Sequence, residues 1–128
     1  MTRVVLDTHA VLWWTLEPAR LGRTVAARIT HAQHVGVPSI VFWEVSLLVR
    51  KGRLALQMPV AEWATKLCSI PRVVSLPLTR GIALLADTLE MHADPADRFI
   101  VATALAHSAP LATKDELLRQ LRFVETIW

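Results

Sequence analysis

Four carboxylates in this 128-residue chain stand where a carboxylate is costly. Asp7, Glu44, Asp97 and Asp115 each lie inside or at the end of a strongly apolar segment, where an acid must be paired or bind a metal. Glu44 in a helix shares a face with Ile40, Leu47 and Leu48, and from mid-helix it can cap neither end. Asp97 has Ile100, Val101 and Ala104 on its side of a helix. Four such acids brought together repel one another, and a divalent cation relieves that repulsion while supplying an acidified water suited to in-line attack on a phosphodiester. Setting the four aside leaves seven acids against fourteen Lys and Arg. A metal-ready acidic pocket on an otherwise basic body is what cleavage of a polyanion needs.

Structural uses of the same residues stand beside this reading. Asp7 can cap the helix that follows it, and Asp94 before Pro95 reads as an N-cap with proline at the first helical position. Asp97 can serve only the helix dipole, and Asp115 can cap a helix containing Glu116, Leu117 and Leu118. Glu44 is harder to explain this way, because it would need a buried basic partner. His31, His34 and His107 read as solvated or helix-ending, whereas His9 and His92 fall closer to the acids. No histidine pair has zinc-site spacing. Trp13, Trp14 and Trp43 lie in apolar helices and read as core or interface.

Composition narrows the field. With 53% hydrophobic and 20% charged residues, the chain suits one compact domain, residues 1–128. A mean hydropathy of +0.39 comes without any apolar run of the roughly 18 residues a membrane span requires, so a soluble protein with no membrane partner is expected. The lone Cys68 cannot close an internal disulfide, and the short apolar start before Asp7 is no secretory signal; a reducing cytoplasm fits both. No glycine-rich nucleotide cradle is present.

Short strands alternating with helices must position the acids. Strands are expected at 3–6, 35–38, 73–76, 111–112 and 123–127. Helices are expected at 8–16, 20–33, 40–50 with Ser39 as N-cap, 59–70, 79–90 capped by Thr79, one beginning at Asp94-Pro95, and 115–121. Parallel neighbours need helical crossovers, so the pattern predicts an α/β domain with a parallel sheet covered on both faces. Ligands of such sheets bind beyond the carboxyl ends of the strands where strand order reverses, and Asp7 and Asp115 both fall at that end.

Leu6-Asp7-Thr8-His9-Ala10-Val11-Leu12-Trp13-Trp14, Phe42-Trp43-Glu44-Val45, His92-Ala93-Asp94-Pro95-Ala96-Asp97-Arg98-Phe99-Ile100 and Leu111-Ala112-Thr113-Lys114-Asp115 together resemble the PIN-domain ribonucleases, specifically the VapC-type toxins of type II toxin–antitoxin systems. The resemblance spans nearly the whole chain. It implies a five-stranded parallel sheet in a three-layer α/β/α sandwich, Mg²⁺- or Mn²⁺-dependent endoribonuclease activity, a homodimer, and inhibition by a cognate VapB-type antitoxin. The family's acids match Asp7, Glu44, Asp97 and Asp115 as catalytic residues, with Asp7, Asp97 and Asp115 as metal ligands. Thr113 matches an accessory hydroxyl, and Asp94 is a second accessory candidate. Ala96 stands where close relatives tend to carry an aromatic, and His9 where many carry asparagine. Arg50, Lys51, Arg53 and Arg98 are candidates for RNA backbone contact, and exposed aromatics such as Trp13 or Trp43 for antitoxin docking. The competing class is a catalytically inactive PIN-like module that binds nucleic acid or protein.

Overall fold

The computed structural model describes residues 2–128. Strand β1 (Arg3–Leu6) leads into α1 (Thr8–Leu16), a 3-10 turn (Pro18–Arg20) and α2 (Arg23–His31). Strand β2 (His34–Pro38) is followed by α3 (Ser39–Arg50) and α4 (Val60–Cys68), and β3 (Val73–Leu76) by α5 (Arg80–Thr88) and α6 (Pro95–Ala106). The chain then forms β4 (Leu111–Ala112), α7 (Glu116–Arg119) and β5 (Thr126–Ile127).

The five strands are all parallel, in the order β3-β2-β1-β4-β5. Chain progression runs outward from β1 to β3 and then returns to the other side of β1. Right-handed crossovers therefore put α1 to α4 on one face of the sheet and α5 to α7 on the other. The expected α/β/α arrangement is the one observed. Val4, Val5 and Leu6 of β1, Val35 and Val37 of β2 and Leu111 of β4 are fully buried between these layers, as central parallel strands require. Gly36 lies where a Cβ would meet Leu76 Cδ1 at 2.6 Å, so any side chain there would require Leu76 to move. Among the described residues no helix is long and apolar enough to cross a membrane.

Three local expectations need correction. Ser39 is the first residue of α3 rather than its cap, and its Oγ donates to the Leu76 carbonyl at 3.0 Å. The helix expected over 20–33 starts only at Arg23, because Pro18–Arg20 closes as a 3-10 turn and Leu21 and Gly22 are extended. The last strand is confined to Thr126–Ile127 because β4 offers only Leu111 and Ala112 for pairing.

Candidate active site

β1 and β4 lie side by side at the reversal of strand order, and each delivers an acid beyond its carboxyl end. Asp7 follows Leu6 directly, its amide held by the Ala112 carbonyl at 3.1 Å. Thr113, which follows β4, is fully buried; its hydroxyl bonds the Asp7 carboxylate and accepts from the Asp115 amide at 3.1 Å. One side chain thus ties the two acids together. Glu44 comes in from α3, where its Oε1 accepts from the Thr8 hydroxyl at the start of α1. From the start of α6, Asp97 Oδ2 accepts from His92 Nε2 at 2.8 Å. Asp7, Glu44, Asp94, Asp97 and Asp115 line one crevice of about 540 Å³, together with Thr8, His9, Trp13, Leu48, Ile100 and Lys114.

Capping and site membership turn out to be compatible. Asp7 Oδ1 accepts from the Ala10 amide at 2.9 Å, Asp94 Oδ1 from the Asp97 amide at 3.2 Å and Asp115 Oδ1 from the Leu117 amide at 2.9 Å. Each cap uses one oxygen, and the same three carboxylates still face the crevice. Glu44 finds a hydroxyl where a structural role would need a cation. Among the described residues no Lys or Arg forms an ion pair with any of the five acids; the pairs present are Arg20–Glu17, Lys66–Glu62 and His92–Asp97.

The missing cations show in the acidities. Burial pushes Asp7 up to about 6, against the hydrogen bonds from Thr113 and Ala10, and the Asp97 charge adds to the rise. Burial also raises Glu44 against its Thr8 bond, helped by the charges of Asp97, Asp94 and Asp7. Asp97 is raised by burial against its His92 bond, with Asp94 and Asp115 adding to it. Three acids whose ionised forms are disfavoured by desolvation and by one another are the arrangement a cation would relieve.

The basic candidates separate. Arg98 is not presented to a polyanion: Nε donates to the His92 carbonyl, Nη1 to Ala86 and Leu89, and Nη2 to Met91, all at 2.8–3.1 Å. Its guanidinium is used up fastening the loop after α5, which carries His92 to Asp97. In the structure Arg98 thus positions that loop. Arg50, Lys51 and Arg53 are exposed at the end of α3 and line no part of the crevice. The sequence reading missed Lys114, which does line it, and Thr8, whose partner Glu44 lies 36 residues away. Lys114 could have been noticed as a cation between Thr113 and Asp115; the Thr8 pairing has no local signal.

The donor set suits a hard divalent ion. All five acids offer oxygen, Cys68 is exposed outside the crevice, and His92 is already engaged. Among the described residues no three His, Cys, Asp or Glu side chains are grouped so as to hold a metal ion. Mg²⁺ does not need such a group, since it keeps several waters and uses one or two carboxylates plus substrate phosphate.

Residues 4–124 match the sequence model of the PIN domain. Over its full length the chain is 36% identical to all of Ribonuclease VapC22 from Mycobacterium tuberculosis H37Rv. Among solved structures it is similar to VapBC2 from Rickettsia felis bound to a promoter DNA fragment, with a TM-score of 0.75 at 14% identity, covering 99% of each chain. FitAcB from Neisseria gonorrhoeae gives a TM-score of 0.62 at 23% identity, covering 98% of this chain and 96% of that one. These structural likenesses speak for the fold.

Proposed function

The chain belongs to the PIN-domain family, and from that premise we propose that it is an endoribonuclease acting as the toxin of a toxin–antitoxin pair. The observation that carries this reading is the crevice of five carboxylates, drawn from the ends of β1 and β4 and from α3 and α6, with no Lys or Arg partner among the described residues. The 36% identical relative is a ribonuclease by name, and among the structural neighbours one from Klebsiella pneumoniae is a toxin–antitoxin complex and VapBC-5 from Mycobacterium tuberculosis a member of the VapBC family of toxin–antitoxin systems, which supports a VapB-type antitoxin as partner. The dependence on a divalent cation is assigned to Mg²⁺ or Mn²⁺, residues 1–128 to a single domain, and the location to the cytoplasm. A homodimer is the expected assembly.

Asp7, Asp97 and Asp115 would hold the ion, which when bound supplies a water of lowered pKa and offsets charge on the phosphate. The chain's own residues do the positioning. Thr113 fixes Asp7 relative to Asp115, Thr8 fixes Glu44, and His92 orients Asp97, with Arg98 holding the His92 loop. Ile100 and Leu48 form an apolar flank of the crevice, which strengthens the field of the acids. Arg50, Lys51 and Arg53 are left to grip phosphates outside it. Incubation of purified protein with RNA and Mg²⁺ or Mn²⁺ should give cleavage that excess EDTA stops; cleavage persisting in EDTA would contradict the metal-dependent reading.

A further inference from the structure

Trp13 and Lys114 line the crevice with Arg20 against the indole, and apart from the antitoxin docking expected of Trp13 none of the roles above uses this wall. Trp13 is half-buried on α1, one turn beyond His9, whose ring lies 5.6 Å from its own. The Arg20 guanidinium carbon sits 4.6 Å from the Trp13 ring centroid and Lys114 Nζ 5.6 Å from it. The edge of Trp128 meets the indole at 5.4 Å and 67°. Trp128 can lie there because position 22 is glycine: a Cβ on it would fall 2.4 Å from the Trp128 carbonyl carbon. The indole is therefore braced by its neighbours. Among the described residues the other side-chain partner of Arg20 is Glu17, in an exposed pair at 3.6 Å, a contact of little strength that a phosphate can displace.

We infer that Trp13, Arg20 and Lys114 form a subsite for the nucleotide next to the scissile phosphate, with the base stacked on the indole and guanidinium layer and its phosphate held by Lys114 and Arg20. The inference rests on the ribonuclease reading and gives it a substrate form: single-stranded RNA with an unstacked base. Five carboxylates repel every phosphate that the cation does not neutralise, so an acidic crevice that admits RNA needs cations beside it. Lys114 is set between Thr113 and Asp115 in sequence and lines the same cavity as the acids. Single-stranded RNA is gripped by this combination, aromatic and guanidinium planes for the base and Lys or Arg for the backbone. A basic inhibitor segment would meet like charge at Arg20 and Lys114, so the wall favours a polyanion over such a peptide.

The test is fluorescence anisotropy of a labelled single-stranded RNA oligonucleotide in EDTA, alongside steady-state cleavage in Mn²⁺. Trp13→Leu should weaken binding about tenfold or more, and Trp13→Phe should recover most of it. Lys114→Gln, a change at an exposed residue that leaves the core untouched, should lower the slope of log affinity against log salt by about 0.7. Both Trp13→Leu and Lys114→Gln should raise KM more than they change kcat. Wild-type affinity in a folded Trp13→Leu protein, or an unchanged salt slope in Lys114→Gln, overturns the subsite while leaving the ribonuclease reading intact. Loss of antitoxin capture with RNA binding unaltered also overturns it, by assigning the wall to a protein partner. A wild type that neither binds nor cleaves RNA overturns both.

Discussion

The two ends of the parallel sheet treat charge in opposite ways. At the amino ends, Arg72 donates from Nη1 to the carbonyls of Ile29 and Ala32 at the close of α2, and the Thr2 carbonyl takes the amides of Gln33 and His34. A cation there meets the negative end of a helix. Arg72 does this from φ 74°, a left-handed backbone that a non-glycine residue adopts at a cost. At the carboxyl ends five acids share one crevice with Lys114, and no Lys or Arg among the described residues forms an ion pair with them. One end is matched internally and holds the fold together; the other is left over-charged and open to a ligand. Arg98 lies beside the second end yet behaves like Arg72, spending its charge on carbonyls.

The largest effect should come from discharging the acidic end. Asp7→Asn and Asp97→Asn should each abolish RNA cleavage while the protein stays folded, since what is lost is metal affinity and not packing. Unchanged turnover in either would reduce that residue to a helix cap.

The same end should cost stability as it ionises. Below about pH 3.8 Asp7 is protonated both folded and unfolded; above that the unfolded chain releases its proton first, and the folded protein holds it until about 6. Stability of the metal-free protein should therefore fall as pH rises through this window, by about 3 kcal/mol from Asp7 alone. Glu44 and Asp97, also raised, act in the same direction. Asp7→Asn should flatten the slope in urea melts run from pH 4 to 7, and a slope identical to wild type would show that Asp7 is not the strained group.

Arg98→Met sharpens the contrast between the two kinds of cation. It strands four carbonyls and should cost roughly 2 to 3 kcal/mol of stability, read as a drop in urea midpoint, whereas Arg50→Gln at the surface should stay within about 0.5 kcal/mol of wild type. An Arg98→Met protein of normal stability but weakened RNA binding would return Arg98 to the substrate. Among the changes at the acidic end the smallest loss of cleavage is expected of Thr113→Val, about tenfold, because it loosens Asp7 and Asp115 without removing either charge. No loss at all would mean that the Thr113 hydroxyl serves only the fold.

Much of this was legible in the sequence because the acids sit at punctuation points of the fold. Asp7 ends a β-branched run and Asp115 follows a two-residue strand, so chain order alone brought these two to the reversal of the sheet, while Asp94 before a proline read as a cap. Glu44 stood out as a mid-helix carboxylate on an apolar face. What escaped was contact between distant segments: the Thr8 bond to Glu44, the stacking of Arg20 and Lys114 on Trp13, and the capture of Arg98 by carbonyls. Such pairings depend on how α1, α3 and the loop after α5 approach one another, which no local periodicity encodes. The even choice between cap and site at Asp7 had a physical resolution that spacing could not supply, since one oxygen of the carboxylate caps while the group still faces the crevice.

The central claim is that the carboxyl end of the sheet is over-charged and waiting for a cation, and thermal melting at neutral pH with and without Mn²⁺ tests it most directly. Wild type should melt at a clearly higher temperature with the ion, as ligand linkage requires, and the rise should shrink for Glu44→Gln and vanish for Asp97→Asn. Equal rises in wild type and Asp97→Asn, or none in wild type, would contradict the account.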